Sequence, residues 1–163
     1  MKAILLVTSI FTCFTAIAQT FSTTVVDSIT NSIDKDTSLR RKTVMIDTLY
    51  SSYETLVRTD VTFVAYTDPS TNKVHKIIWN TEGDYYCFVT IYYSKDLAIK
   101  GLVKAKYRVT DTNPEFETNS VFYYENDEVV EEIELNGTDY SANGWWYLST
   151  INDFIALAGI KMK

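Results

Sequence analysis

Three patterns of apolar and polar positions divide this chain. Met1-Lys2 leads into an uncharged, mostly apolar run from Ala3 to Ala18, and polar residues dominate from Gln19 onward. Residues 19–42 are rich in Ser, Thr and Asp, carry scattered Val and Ile, and close on Arg40-Arg41-Lys42; they read as a flexible N-terminal arm. From Thr43 the apolar residues Ile46, Leu49, Tyr50, Tyr53, Leu56 and Val57 recur at spacings of three and four, while Asp47, Ser51, Ser52, Glu54 and Arg58 take the other side. That period predicts an amphipathic helix over 43–58.

Beyond Val61 the period shortens to that of strands, with β-branched and aromatic residues in segments broken by turn chemistry. Six strands are predicted: Val61–Thr67, Val74–Asn80, Tyr85–Ser94, Lys100–Thr110, Thr118–Glu125 and Glu128–Leu135. Asp68-Pro69-Ser70-Thr71-Asn72 presets a turn through the fixed φ of proline, and Glu82-Gly83-Asp84 offers a glycine for positive φ. Asn126-Asp127 is the tightest connection and favours a type I′ hairpin. Such short loops cannot make parallel crossovers, so the sheet should be an antiparallel meander. Leu102, Lys104, Lys106 and Arg108 alternate with Val103, Ala105, Tyr107 and Val109, as in a strand wet on one side. A second helix is expected at the C-terminus, with Ser149 or Thr150 as cap, Ile151, Phe154, Ile155 and Ala158 on one face, and Gly159 as stop.

The predicted architecture is therefore α+β: an N-terminal helix packed on an antiparallel meander of about six strands, closed by a short C-terminal helix. A small lipocalin-like β-barrel is the alternative, with residues 19–42 and 145–163 supplying further strands. The length fits one domain, 43–163, after the arm.

The apolar opening has the layout of a secretory signal peptide, and Ala16-Ile17-Ala18 supplies small residues where a signal peptidase reads them. Cleavage is expected after Ala18, which places the protein in the periplasm or the extracellular space. The run is shorter than the roughly 20 residues of a membrane span, and Thr8, Ser9, Thr12 and Thr15 dilute it. No membrane span is expected after cleavage. Cys13 is a poor lipoprotein site, because Phe11 and Thr12 stand where small residues belong.

Removing residues 1–18 takes Lys2 and no acid, so the formal net charge moves from −6 to −7. That sign argues against nucleic acid and anionic membrane surfaces as partners. Cys13 also leaves with the leader, so Cys87 remains alone and no intramolecular disulfide can form. Its setting, Tyr85-Tyr86-Cys87-Phe88-Val89, suits a buried inert thiol better than a nucleophile. A disulfide-free exported domain must be held by its core, and 46% hydrophobic content with 14% aromatic residues can build one.

Chemistry is sparsely signalled. The one histidine, His75, lies in a strand-like segment, and no Gly-x-Ser-x-Gly elbow presents a serine to it. One Cys and one His cannot make a zinc site, Asp34-Lys35-Asp36 lacks the rest of a calcium loop, and the five glycines form no phosphate-binding loop. No cofactor is expected. Carboxylates cluster at Glu125, Asp127, Glu128, Glu131, Glu132 and Glu134, either as a solvated edge that deters aggregation or as a docking surface for a basic partner. Twelve tyrosines include the pairs Tyr85-Tyr86, Tyr92-Tyr93 and Tyr123-Tyr124, which must place one ring on each face of the sheet. Those rings either pair across strands or stack on a glycan or peptide, with Trp145 and Trp146 as further contributors. The candidate binding surface is thus Tyr92, Tyr93, Tyr123, Tyr124, Glu128, Glu131, Glu132, Glu134, Trp145 and Trp146. Asn136-Gly137-Thr138 matches a glycosylation sequon, idle in a bacterial protein.

The stretch from Lys73-Val74-His75-Lys76-Ile77-Ile78 to Phe122-Tyr123-Tyr124-Glu125-Asn126-Asp127-Glu128-Val129 resembles small exported bacterial proteins of uncharacterised role. In these a turn leads into a Lys-hydrophobic strand, and a later Tyr-rich strand ends in a tight hairpin. The resemblance is architectural, over about residues 43–135, and implies no catalytic residues. The functional expectation is a non-catalytic binding or inhibitory module of the bacterial periplasm or extracellular space, meeting a basic protein or a glycan or peptide. A hydrolase built on a Glu/Asp pair and a carrier of an apolar ligand are the alternatives.

Overall fold

The computed structural model describes residues 21–52, 55–82, 85–107, 116–137 and 144–157. Helix α1 spans Thr23–Lys35 and is followed by seven strands, β1 (Arg40–Ser52), β2 (Thr55–Thr67), β3 (Val74–Glu82), β4 (Tyr85–Ser94), β5 (Leu97–Tyr107), β6 (Phe116–Glu125) and β7 (Glu128–Gly137). Helix α2, Gly144–Leu157, ends the described chain. The strands lie in sequence order in one sheet, β1 to β7, each antiparallel to the next. The sheet is open: β1 and β7 are its edges, so the barrel alternative does not describe it.

The Asp68–Asn72 and Asn126-Asp127 turns follow the expected chemistry, while Gly83 and Asp84 lie outside the described residues. Asn126 and Asp127 both have positive φ, 54° and 64°, as a type I′ hairpin requires. Lys95 and Asp96, at 53° and 67°, make the same kind of connection between β4 and β5 without a glycine. In the turn at Asp68 the carboxylate accepts from the Ser70 hydroxyl and from the Ser70 and Thr71 backbone N–H groups, which hold its pKa down to about 2. The Asp127 carboxylate accepts from the Ala98 N–H at 2.9 Å, tying one hairpin tip to the next.

Two assignments in the N-terminal third are corrected. Residues 43–58 are not a helix: they form most of β1 and the start of β2, paired from Arg40↔Thr67 to Ser52↔Thr55. Thr43, Val44, Ile46, Thr48, Thr55 and Val57 are β-branched and prefer a pleated surface, and the pairing satisfies the backbone of both segments at once. The N-terminal helix lies upstream, inside the segment 19–42 that reads as an arm. It buries Val26, Thr30 and Ile33 at spacings of four and three. The C-terminal helix starts earlier than expected, at Gly144; Gly159 lies outside the described residues.

Strand alternation gives the sheet two faces, each with its own helix. One carries Val61, Phe63, Ala65, Ile77, Trp79, Cys87, Val89, Ile91, Val103, Ala105 and Phe122, all buried in one cluster with Tyr147, Leu148, Ile151 and Ile155 of α2. Trp79 anchors it, stacked on Phe63 at 6.1 Å between ring centroids and tilted against Tyr147 at 6.3 Å. Close approach of α2 depends on a missing side chain, since a Cβ at Gly144 would strike the Phe122 ring. The Gly144 carbonyl in turn accepts from the Tyr124 hydroxyl at 2.9 Å. The opposite face is covered by α1, giving three layers: helix, sheet, helix.

Candidate functional site

Across the α1 face runs a row of charged and aromatic side chains that no local pattern reveals. Read through the strand register it is Tyr66, Lys76, Tyr92, Lys100, Tyr123 and Glu131, one residue from each of β2 to β7. Lys76 Nζ sits 4.4 Å from the centroid of the Tyr66 ring, and Lys100 Nζ 5.4 Å from that of Tyr123. Two aspartates of α1 close on this row in the same way. Asp34 takes an ion pair from Lys76 at 2.7 Å and a hydrogen bond from the Tyr92 hydroxyl at 2.9 Å. Asp27 takes one from Lys100 at 2.6 Å and one from the Tyr123 hydroxyl at 3.0 Å.

The repeat has a geometric cause. Seven residues of helix advance about 10.5 Å. Two strand spacings cover about 9.6 Å. Asp27 and Asp34 are seven apart, and their partners are two strands apart, so α1 lies across the strands and its period matches theirs. Phe21 adds an edge-on contact to the Tyr123 ring at 6.1 Å.

The Lys100 ammonium, through its hydrogen bond, holds the Asp27 carboxyl below the usual range against the opposing effect of burial, with Tyr123 adding in the same direction. A depressed pKa contributes stability above the unfolded value of 3.8, and this is lost as the pH falls through the lower folded value. Asp27 and Asp34 remain partly exposed, at 43% and 44%, while Lys100 and Lys76 are only 15% and 14% exposed. Removing a carboxylate therefore strands a largely buried ammonium. Asp27→Asn and Asp34→Asn are each expected to lower stability by about 1–2 kcal/mol, allowing for solvent screening of the exposed carboxylate. Urea unfolding would measure the loss, and for Asp27→Asn the gap from the parent protein should narrow below about pH 4.

The tyrosines proposed as a stacking platform are not on the surface. Tyr92 and Tyr123 lie under α1, Tyr93 and Tyr124 under α2, and each is 5% exposed or less. Each pair does put one ring on each face, but a helix covers both faces. Desolvation raises all four hydroxyl pKa values, Tyr123 to about 12. The backbones of Trp145 and Trp146 lie in α2, and their side chains fall outside the described ones.

The glutamates, in contrast, are exposed along β7, the outer edge of the sheet. Glu131 pairs with Tyr123 on the α1 face; Glu132 and Glu134 pair with Phe122 and Ser120 on the other. Partial desolvation, then the neighbouring Glu134, push the Glu132 carboxyl above its ordinary value. Val129, Val130, Ile133 and Leu135 are exposed between them, from 37% to 53%. Two bulges in the β6–β7 ladder, between Asn119 and Ser120 and between Tyr123 and Tyr124, interrupt this edge.

His75 is half-buried at the bulge where β3 pairs with β2, and Cys87 is a buried thiol outside any disulfide. Among the described residues no group of three or more His, Cys, Asp or Glu is placed to hold a metal, and no helix is long and apolar enough to cross a membrane. A groove along the outer side of α1 is lined by Thr24, Asp27, Ser28, Asn31, Ser32 and Lys35, all from that one helix.

Comparison with protein-family models, curated proteins and solved structures finds no match.

Proposed function

We propose that this chain is an exported, non-catalytic binding module of the bacterial periplasm or extracellular space, and that its docking element is the β7 edge. The observation that carries this reading is the edge itself. It is a ten-residue strand with Glu128, Glu131, Glu132 and Glu134 exposed beside Val129, Val130, Ile133 and Leu135. Among the described residues its outer side has no strand neighbour, so its backbone offers a ladder to an extended segment. Val129, Val130, Ile133 and Leu135 give such a segment apolar contact, and four carboxylates select a basic one.

The alternatives draw less support. Asp27 and Asp34, two turns apart on α1, are each held by a lysine and a tyrosine rather than presented to a substrate. The interior beneath α2 is filled by Trp79, Tyr93, Phe122 and Tyr124, leaving no room at those positions for an apolar cargo.

The test is affinity capture from periplasmic and medium fractions at low and high salt, since exposed charges are screened over roughly 8–10 Å. Basic proteins other than the chain itself should be retained at low salt, released at high salt, and lost with Glu128→Lys and Glu134→Lys. Capture of acidic partners other than the chain itself, or capture indifferent to salt and to these substitutions, would overturn the reading.

A further inference from the structure

The two edges of the sheet are complementary in charge along two adjacent rows. Following the ladder through all seven strands, the row that ends on β7 at Glu131 begins on β1 at Arg41. The next row, on the opposite face, begins at Lys42 and ends at Glu132. Arg41, Lys42, Glu131 and Glu132 are all exposed. The row after these joins Thr43 to Ile133, with no charge at either end.

We propose that the β7 edge of one copy takes the β1 edge of a second copy, head to tail and in register, so that Glu131 meets Arg41 and Glu132 meets Lys42 of the neighbour. This rests on the reading of β7 as the docking strand and gives it a second copy of the chain as an occupant.

Direction and charge agree with this arrangement. Six antiparallel steps leave β1 and β7 pointing the same way, so a neighbour added without turning over continues the sheet by a parallel pair. Each face then remains continuous, α1 beside α1 and α2 beside α2. Pairing of β7 with β7 is opposed, because it sets glutamates against glutamates. Both edges are long, thirteen and ten residues. An interface of this heterologous kind does not close on itself after one step, so it produces a series of oligomers rather than a fixed dimer.

Sedimentation velocity of the purified protein over a range of concentrations tests this. At about 20 mM salt the weight-average mass should rise about twofold or more as concentration increases, and at about 0.5 M salt it should fall back to that of the single chain. The exposed charge reversals Arg41→Glu/Lys42→Glu and Glu131→Lys/Glu132→Lys should each abolish growth when alone. Mixed in equal amounts they should restore it, because each variant then offers the edge the other lacks. A protein that stays monomeric at low salt, a dimer that does not grow, or reversal variants that associate like the parent would overturn the proposal. A monomer that still captures a basic partner would leave the proposed function standing and remove this occupant alone.

Discussion

Replacing Trp79 with alanine is expected to cost about 3–5 kcal/mol of folding stability, a third or more of what a domain of this size commonly has. Trp79 is fully buried at the middle of the α2 face, on the central strands of the sheet. Its indole stacks on Phe63 of β2 and meets Tyr147 of α2, so it joins neighbouring strands and fastens the helix above them. Truncation removes the apolar burial of the ring and leaves a void whose walls, Phe63, Val89 and Tyr147, belong to three different elements and cannot all close on it. Denaturant unfolding should show a lower midpoint with an unchanged slope. Phe88→Ala provides the contrast: Phe88 is 37% exposed on the other face of β4, and its truncation should cost under about 1 kcal/mol. Equal losses from the two substitutions would mean that the α2 face is not the main core.

How much of this was readable in advance depended on how local the determining contacts are. The second half of β2 and strands β3 to β7 were legible from their β-branched and aromatic runs, and Asn126-Asp127 announces its hairpin in two residues. β1 was not, because Ile46, Leu49, Tyr50 and Tyr53 satisfy a helical period. The pairing that decides against it runs from Arg40 to Thr67, a separation no short window contains. Helix α1 was missed for a related reason. Its buried stripe, Val26, Thr30 and Ile33, is narrow, and what holds it down are Asp27 and Asp34, whose partners lie 42 to 96 residues away. The signal available was the seven-residue spacing of two aspartates beside Val26 and Ile33, together with lysines and tyrosines recurring in successive strands. Missing α1 had a direct consequence for the site. With one face of the sheet thought to be bare, Tyr92 and Tyr123 read as surface rings, whereas the helix encloses both. The acidic edge was legible because glutamates at an edge need no partner in the chain to explain them.

That enclosure sets the behaviour of the protein in alkali. Tyr92, Tyr93, Tyr123 and Tyr124 all have hydroxyl pKa values raised above the ordinary value of 10, in each case chiefly by burial. Asp34 and Asp27 reinforce the effect at Tyr92 and Tyr123 by accepting from the protonated hydroxyls. A raised pKa means that the folded state keeps its proton where the unfolded chain has released it. The stability it contributes is therefore intact below pH 10 and falls as the pH rises, for Tyr123 until about 12 and for the other three beyond that. Each group alone removes about 1.4 kcal/mol per pH unit, so four together remove roughly 5–6 kcal/mol per unit. A domain with ordinary reserves should unfold cooperatively between about pH 11 and 12. A stepped rise of tyrosinate absorbance, coincident with loss of the far-ultraviolet strand signal, is the expected observation. Tyr93→Phe sharpens the test. Among the described residues its hydroxyl makes a long contact, 3.5 Å to Asn152, so the substitution costs little at neutral pH yet removes one of the four linked protons and should shift the transition upward. If tyrosinate absorbance rises to completion near pH 10 while the far-ultraviolet signal is intact, these rings are open to water, and the two-helix enclosure of the sheet is wrong.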